Sequence, residues 1–462
     1  ASSSSLPSSP SSSGYSSFSS YSSFSSVSPL PPSSSSSSLH HSFSVASLSP
    51  SSPSPSSFFF SSLSPSPAWK SLTKNEILEL ISLSSAIPSQ TLYEYLTHPN
   101  KEIAGEAKRL MVLRGEHKNL LKFQRQNFPV NENGQKRGLR ILSLDGGGIR
   151  ALITLRLMGA FEKITGKNTR DLFDLVACTS TGAVLASLIF INGFDLETVK
   201  QKYKKFGRRC FSAQAGDKDA TRGDSNWSKF MNFSHWMFQG GIYKTEDFMG
   251  ALAGVCGTER MADLHRDLNI PWMFFTATSI NLNPPRPFIY RNYNLPASSP
   301  SRYNGVSFMN LHQALRSTTS APGYFEEFTS PLLPDQRQVD GGMLHNNPSG
   351  LAVHECLRLF GADQQIDIVV NLGTGRFPVR PEPATGIKSI MNALVKSAAS
   401  SEKTSEVLDD LMELCGAKHY RLNPTNQVFD CGLLELREEI LQAMDEQVTI
   451  YLKENHELME EI

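Results

Sequence analysis

The feature that most constrains the fold is an alternation of short apolar runs with helical stretches between about Gly138 and Phe377. The apolar runs have the length of single strands, and the stretches between them are long enough for helices. Such alternation predicts an α/β domain with a largely parallel central sheet. The candidate strands are LRILSL, FDLVA, WMFFTATS, FIYRNY and IDIVVNLG.

A serine stands at an abrupt corner between one of these strands and the helix that follows it. The segment FDLVACTSTGAVLASLIF reads as a strand over residues 173–177 and as an apolar helix from about Gly182. A tight turn of this kind pushes a serine hydroxyl out of the sheet, to the place where the free N–H groups of the helix point. The corner therefore predicts that Ser180 is a nucleophile, and the alternative is a serine that caps the helix.

The corner departs at one position from the G-x-S-x-G pattern that nucleophile turns usually carry. Gly182 occupies the last position, but Cys178 stands where the first glycine is expected. Glycine is usual there because the turn crowds the backbone on both sides. We therefore expect the Cys178 side chain to crowd the turn at some cost in rate, and Cys178→Gly to raise kcat or leave it unchanged.

A second polar site follows the first strand, in LRILSLDGGGIRA. The strand delivers Asp145 and Gly146–Gly148, and a helix starts near Ile149. Three glycines let the backbone expose several N–H groups to one anionic centre, which predicts an oxyanion hole. The same spacing also fits a dinucleotide fingerprint, which requires an acidic residue about 20 positions further on. Asp171 and Asp174 lie near that distance.

A third polar site lies in RQVDGGMLHNNPSGLAVHE. A short strand is expected to end at Asp340, and Gly341-Gly342 allow a tight turn before a helix that begins around Pro348. A carboxylate at a strand end beside two glycines is well placed to face a cleft. The alternative is a carboxylate that only caps a turn of the Asx type.

The rest of the chain divides into segments of different composition. Residues 1–73 are rich in Ser and Pro and contain no acidic residue, so we expect them to be disordered, as a linker or an organelle-targeting segment. Residues 74–137 have helical periodicity and predict a small helical lead-in. The α/β domain is expected to span residues 138–380, and residues 381–462 to form a helical, charged C-terminal extension.

Composition argues against two classes of function. Lys and Arg number 44, as do Asp and Glu, and a net charge of zero does not favour nucleic acid. The six cysteines form no C-x-x-C pair, which argues against zinc or redox motifs and favours a reducing, intracellular location. The longest apolar run, residues 183–191, is far shorter than the roughly 20 residues that span a bilayer. Any membrane association is therefore expected to be peripheral.

Two stretches have the composition of lipid-contacting segments. KQKYKKFGRR, residues 200–209, is a basic cluster that suits anionic headgroups or simply a solvated helix face. NWSKFMNFSHWMFQGG, residues 226–241, is rich in aromatic residues and methionine, which suits a membrane interface, an acyl groove or ordinary core. DKDATRGDSNWS, residues 217–228, lacks the spacing of an EF-hand loop, so no calcium site is expected there.

Taken together, the three polar sites resemble the patatin-like phospholipase family. That family carries D-G-G-G-x-[KR]-G, G-x-S-x-G and D-G-[GA], and the matching residues here are Asp145–Ala151, Cys178–Gly182 and Asp340–Gly342. Ala151 and Cys178 replace family glycines. Three further stretches are similar to the calcium-independent phospholipase A2 gamma branch of the family, namely LRSTTSAPGYFEEF, NNPSGLAVHEC and NLGTGRF.

The resemblance implies a patatin-like three-layer α/β/α catalytic domain and a calcium-independent acyl hydrolase that cleaves phospholipid esters at a membrane surface. It implies Ser180 as the nucleophile and Asp340 as its base, a Ser-Asp dyad that uses no metal and no other cofactor. The oxyanion hole is then formed by Gly146, Gly147 and Gly148. The supporting residues are Arg150, which is expected to hold the loop or a lipid phosphate, and Gly182, Gly341 and Gly342.

Three alternatives stay open at this stage. His345 or His354 could complete a Ser-His-Asp triad in place of the dyad. The glycines after Asp145 could serve a dinucleotide-dependent oxidoreductase. Finally, Cys178 at the corner could mark a catalytically impaired, lipid-binding scaffold.

Overall fold

The computed structural model describes residues 73–75, 77–78, 87–126, 134, 136–211, 245–378 and 401–462. The strands in this part of the chain form one sheet in the order β5-β4-β3-β2-β1-β8-β9, and β7 pairs with β3 and β6. Their bounds are β1 Leu139–Leu144, β2 Leu175–Thr179, β3 Trp272–Ser279, β4 Arg286–Arg291, β5 Asn304–Val306, β6 Phe328–Ser330, β7 Leu333–Asp340, β8 Ile366–Leu372 and β9 Lys418–Leu422.

Helices connect these strands and extend the chain at both ends of the described region. The α-helices are α1 Ser89–Tyr95, α2 Lys101–Leu113, α3 His117–Arg125, α4 Ala151–Thr165, α5 Thr181–Ala186, α6 Leu196–Phe211, α7 Thr245–Cys256, α8 Leu311–Thr318, α9 Gly342–His345, α10 Ser349–Phe360, α11 Ser401–Leu414, α12 Glu438–Glu454 and α13 His456–Glu461. Short 3-10 turns occupy Gly148–Arg150, Thr169–Asp171, Met261–Arg266 and Gln427–Phe429, and a π-helical turn, Ser187–Ile191, continues α5.

The centre of the sheet is parallel. Strands β3, β2, β1, β8 and β9 are neighbours in that order and all run the same way. Strands β4 and β7 run antiparallel to β3, and β6 runs antiparallel to β7. The predicted α/β class with a largely parallel sheet is therefore confirmed. The antiparallel pairs all lie on the β3 side of the sheet.

Side chains on alternate positions of each central strand enter two separate apolar cores. In β1, Leu142 and Leu144 belong to a core that includes the buried side of α4, while Leu139 and Ile141 belong to a second core that includes the buried side of α10. This division follows from the period-2 geometry of a strand, whose successive side chains point to opposite faces. Helices thus cover both faces, and the fold has the expected three α/β/α layers.

The C-terminal region differs from its sequence prediction. Residues 381–462 were expected to be helical throughout, but Lys418–Leu422 is a strand, β9, that pairs in parallel with β8 from Ile368 onward. The five-residue stretch KHYRL has no long apolar run, because only Leu422 is fully buried and the other positions lie at a sheet edge. Pairing with β8, rather than the local pattern, decides its conformation.

Candidate active site

Ser180 lies at the corner between β2 and α5, in a strained backbone conformation. Its φ of 52° makes it the one non-glycine residue with a positive φ in the part of the chain that the structure describes. Such a conformation costs about 1–3 kcal/mol and persists only where the surroundings enforce it. Here the N–H of Ser180 donates to the Thr318 hydroxyl at 2.8 Å, and that hydroxyl donates to the Thr276 carbonyl at 2.5 Å.

The position at this corner that leaves no room for a side chain is Gly182 rather than Cys178. A Cβ atom on Gly182 would lie 2.8 Å from the carbonyl oxygen of Leu144 and 2.9 Å from that of Asp145, both backbone atoms that cannot move aside. Cys178 is a residue of β2 whose side chain is fully buried in the apolar core. The Cys178 side chain therefore does not crowd the turn, contrary to the expectation from the sequence. It packs instead in the core on a helix-covered face of the sheet.

Asp340 reaches Ser180 because β7 takes the place that β2 leaves beside β3. The pairing of β2 with β3 ends at Thr179 opposite Thr276, and β7 arrives from the other direction with Asp340 opposite Ala277. The end of one strand therefore faces the corner at the end of the other. The Ser180 Oγ donates to Asp340 Oδ2 at 2.6 Å.

The Asp340 carboxyl group is buried and has few compensating partners. Burial raises its pKa to about 7, and this rise is opposed in part by the hydrogen bonds from the Ser180 hydroxyl and the N–H of Gly342. The Gly342 N–H donates to Oδ1 at 2.7 Å, so each carboxylate oxygen accepts one hydrogen bond. A pKa near neutrality suits a group that must accept and return a proton.

The two glycines after Asp340 lie where an added side chain would come very close to neighbouring atoms. A Cβ on Gly341 would meet the backbone and hydroxyl of Thr276, and a Cβ on Gly342 would lie 3.0 Å from Asp340 Oδ1 and 3.1 Å from Asn346 Oδ1. These contacts explain why the turn after β7 has glycine at both positions.

The glycine loop, Gly146–Gly148, lies against Ser180 on the other side. Gly148 has a φ of 60°, and a Cβ there would collide with the carbonyl of Leu433. The Gly147 N–H donates to the Thr181 hydroxyl at 3.2 Å. Within the described residues, the N–H groups of Gly146 and Gly148 have no hydrogen-bond acceptor, so they are available to an anion.

Arg150 is buried behind the glycine loop. Its Nε donates to the carbonyl of Gly147 at 3.3 Å, and one terminal nitrogen donates to the carbonyl of Phe429 at 3.2 Å. Of the two expected roles, these contacts match the one in which Arg150 holds the loop. The guanidinium does not line the cavity above Ser180, which is where a lipid phosphate would be met.

Two alternative interpretations of the sequence do not match the geometry. The acidic residue of a dinucleotide site belongs at the carboxyl end of β2, but Asp174 precedes β2 and bonds Arg137 at 2.6 Å, at the opposite end of the sheet from the glycine loop. Neither histidine of the triad alternative bonds the pair among the described contacts. The His354 ring contacts the Ser301 hydroxyl at 3.1 Å, the His345 ring lies 6.5 Å from the ring of Tyr303, and the Ser180 hydroxyl donates directly to the carboxylate of Asp340.

A cavity opens above Ser180 and Asp340. The glycine loop forms one side of its polar floor, and most of the wall is apolar. The wall residues include Val184, Phe206, Phe248, Phe325, Leu433, Leu434 and Leu436. A long apolar chain whose polar end lies at Ser180 fits this division between floor and wall.

Several residues of the site have no motif in the sequence. Thr318 and Thr276 hold the Ser180 amide, and Asn371 and Arg421 hold Asp145. Thr318 and Asn371 fall within stretches that resemble the phospholipase A2 gamma branch, which is the one signal that could have pointed to them. Arg421 lies on β9 in the C-terminal extension, outside every such stretch.

The remaining sequence predictions fall mostly outside the site. On α6, Lys204 and Arg208 of the basic cluster pair with Glu438 at 2.7 and 3.4 Å. Residues 217–228 and 226–241 lie outside the described residues. Over the described ranges, no group of three or more His, Cys, Asp or Glu could hold a metal ion, and no helix has the length and apolarity needed to cross a membrane.

Comparison with known proteins identifies the domain. The Patatin family, described as patatin-like phospholipase, matches residues 142–353. Human calcium-independent phospholipase A2-gamma is 31% identical over 330 residues, which cover 71% of this chain and 40% of that protein. Phospholipase A I from Arabidopsis thaliana is 28% identical over 395 residues, which cover 75% of this chain and 29% of that protein. The chain thus spans about two fifths or less of the length of these relatives.

Among solved structures, human GIVD cytosolic phospholipase A2 aligns at 11% identity over 71% of this chain and 54% of that chain, with a TM-score of 0.31. The match of residues 142–353 contains the glycine loop, the serine corner and Asp340. These residues place the chain in the patatin-like phospholipase family.

Proposed function

We propose that this chain is a serine acyl hydrolase that cleaves fatty acyl esters of phospholipids, in the manner of a calcium-independent phospholipase A2. The observation that carries the proposal is the 2.6 Å hydrogen bond from the Ser180 hydroxyl to Asp340, on the floor of an apolar cavity. The relatives named above are phospholipases, which supports a phospholipid as the ester. The membrane surface is then the place where the substrate is met.

In the first step, the Ser180 Oγ attacks the ester carbonyl carbon while Asp340 Oδ2 accepts the hydroxyl proton. A carboxylate with a pKa of about 7 is a stronger base than an ordinary one, so it takes this proton more readily. The strained φ of Ser180 supports the proposal, because it exposes the hydroxyl at the corner instead of turning it into the helix.

The negative charge then forms on the carbonyl oxygen, and the glycine loop supplies the donors. Gly146, Gly147 and Gly148 line the cavity beside Ser180, and their N–H groups are the proposed donors. The Gly147 N–H is partly occupied by the Thr181 hydroxyl at 3.2 Å, a long bond that an oxyanion would replace. Each oxyanion donor is typically worth roughly 10²–10³ in rate.

Collapse of the tetrahedral intermediate breaks the bond between the carbonyl carbon and the leaving oxygen. Asp340 returns its proton to that oxygen, which leaves as the lysophospholipid alcohol, and the acyl group stays on Ser180. Water then attacks the acyl carbon, its proton passes to Asp340 and on to Ser180, and the fatty acid departs. The cycle uses the Ser180 hydroxyl, the Asp340 carboxylate and the N–H groups of the glycine loop.

The test is labelling with a fluorophosphonate probe, paired with phospholipid hydrolysis on mixed liposomes in the presence of a calcium chelator. We expect the wild type to be labelled and active, and Ser180→Ala to lose both. Ser187→Ala is the matched control, because Ser187 is a buried serine on the same helical segment whose hydroxyl bonds the Ala183 carbonyl at 2.8 Å. It should be labelled normally.

Three results would contradict the proposal. A folded wild type that is not labelled and hydrolyses no ester would favour the impaired, lipid-binding scaffold. Labelling that persists in Ser180→Ala would place the nucleophile elsewhere. Activity that disappears with chelator and returns specifically with calcium would contradict the calcium-independent mechanism.

A further inference from the structure

The C-terminal segment, residues 401–462, contacts the glycine loop and the residues beside it at three points, although it lies beyond the 142–353 match. The carbonyl of Leu433 accepts the N–H of Ile149 at 2.8 Å. The carbonyl of Phe429 accepts a hydrogen bond from Arg150, and Arg421 forms an ion pair with Asp145 at 3.0 Å. Of these contacts, the Arg421 ion pair is the one made by a C-terminal side chain.

Arg421 reaches Asp145 through the register of three parallel strands. On β9, Arg421 is opposite Asn371 of β8, and Asn371 is opposite Ser143 of β1. Asp145 is the first residue after β1, so its carboxylate lies within reach of the side chains of Asn371 and Arg421. Asn371 Nδ2 donates to Asp145 Oδ1 at 2.8 Å and Arg421 donates to Oδ2 at 3.0 Å. Both oxygens of the carboxylate are therefore held.

Glu402 fixes the orientation of the Arg421 guanidinium from the other side. The Nε and one terminal nitrogen of Arg421 donate to Glu402 Oε1 at 2.9 and 2.6 Å, and the other terminal nitrogen donates to both Asp145 Oδ2 and Asn371 Oδ1. The side chains of Arg421 and Asp145 are only 8% and 2% exposed. A planar guanidinium shared between two carboxylates leaves little rotational freedom.

Asp145 is the residue before the glycine loop, and the loop has no side chains of its own to fix it. Its position depends on anchors at its ends and on contacts such as the Thr374 hydroxyl, which donates to the Gly146 carbonyl at 2.9 Å. A loop that must hold N–H donors within a fraction of an ångström of an oxyanion needs rigid neighbours. The Asp145 N–H donates to the Leu372 carbonyl at 3.1 Å, and its held carboxylate adds the side-chain anchor nearest the loop.

We propose that Arg421 is a positioning residue for acyl transfer: by holding Asp145, it fixes the N–H donors of Gly146–Gly148 beside Ser180. This inference rests on the proposed function. It assigns the C-terminal strand β9 a role in the active site. Arg421 does not line the cavity, so it acts on the reaction through Asp145 and the loop and has no contact with the acyl chain.

The experiment compares Arg421→Gln and Arg421→Lys with the matched control Arg376→Gln. Arg376 also pairs with Glu402, at 3.3 Å, but does not touch Asp145. With a short-chain ester, we expect Arg421→Gln to lower kcat by roughly 10²-fold, the cost of misplacing a reacting geometry by about 1 Å. KM should stay near that of the wild type, because the cavity wall is unchanged. Arg421→Lys should be intermediate, and Arg376→Gln should match the wild type.

A second variant separates positioning from simple loss of folding. Arg421→Gln leaves the buried Asp145 without its cation, which can unfold the protein. The double variant Asp145→Asn, Arg421→Gln removes both charges, and we expect it to be folded by circular dichroism while its kcat stays as low as that of the single variant. Recovery of wild-type kcat in the double variant would show that Arg421 only neutralises a buried charge, and would overturn the inference.

The outcomes also distinguish this inference from the proposed function. If the wild type is labelled at Ser180 by the fluorophosphonate and a folded Arg421→Gln is labelled at the same rate, the positioning role is wrong while the serine hydrolase stands. If the wild type is not labelled, the proposed function fails, and the role assigned to Arg421 fails with it. Slow labelling of Arg421→Gln with normal labelling of Arg376→Gln supports both.

Discussion

The hydroxyl of Ser180 donates to the carboxylate of Asp340 across 2.6 Å, although the two residues are 160 positions apart in the sequence. No other side chain shares the carboxylate oxygen Oδ2 among the described hydrogen bonds, and Oδ1 accepts only the Gly342 N–H. With so few partners, burial dominates the electrostatics of Asp340 and raises its pKa to about 7.

The first prediction concerns the pH dependence of activity. Asp340 accepts a proton only when it is ionised, and burial raises its pKa to about 7, so kcat/KM should rise with pH through about 7 and level off above it. The measurement is kcat/KM between pH 5 and 9 with a soluble ester. Asp335→Asn, which changes an exposed carboxylate on the same strand, should leave the profile unchanged. If kcat/KM instead rose with an apparent pKa near the ordinary carboxyl value, the assignment of Asp340 as the base would be wrong.

The second prediction concerns stability. Because the pKa of Asp340 is about 7 in the folded protein against 3.8 ordinarily, the native state binds more protons than the unfolded chain between these values, and the free energy of unfolding falls as pH rises through them. Asn cannot ionise, so Asp340→Asn should be inactive yet more stable than the wild type at pH 8. The gain is at most ~4 kcal/mol and should shrink toward pH 5.

Urea unfolding of both proteins at pH 5 and pH 8 measures this difference. The change between the two pH values is the informative quantity, because effects of the amide on packing are the same at both. A stability difference that is independent of pH would mean that Asp340 titrates near its ordinary value.

The third prediction concerns the corner. In Gly182→Ala, the new methyl group would lie within 3.0 Å of the Leu144 and Asp145 carbonyl oxygens, so the start of α5 must move away from β1 and carry Ser180 with it. We expect kcat to fall by roughly 10²-fold. Gly159→Ala on α4 is the control, since its nearest neighbour would be the Leu196 Cδ1 at 3.8 Å. Equal kcat in the two variants would show that the corner tolerates a shift.

The fourth prediction concerns Cys178. Its side chain fills part of the core on one face of β2, so Cys178→Gly removes buried volume and loosens a central strand. We expect a loss of about 1–3 kcal/mol in the free energy of unfolding and a nearly unchanged kcat in the folded fraction. Cys178→Ala, which keeps the Cβ, should lose less. A rise in kcat for Cys178→Gly would restore the view that the thiol crowds the corner.

Local patterns in the sequence determined the main elements of this protein. The alternation of apolar runs predicted β1, β3 and β8 to within a residue, because strand length and apolar composition are properties of a few neighbouring positions. The serine corner and the Gly146–Gly148 loop were predicted for the same reason. Glycine and serine at a strand end have a conformational meaning that does not depend on distant residues.

Only the tertiary structure decided which of these local features meet. Asp340 contacts Ser180 because β7 occupies the place beside β3 that β2 vacates after Thr179, and Arg421 contacts Asp145 because β9 adds a fifth parallel strand next to β8. Both contacts depend on strand order and register, which hydrogen bonds between remote segments establish. The stretch around Arg421 has no apolar run, so its strand forms only where β8 offers an unpaired edge.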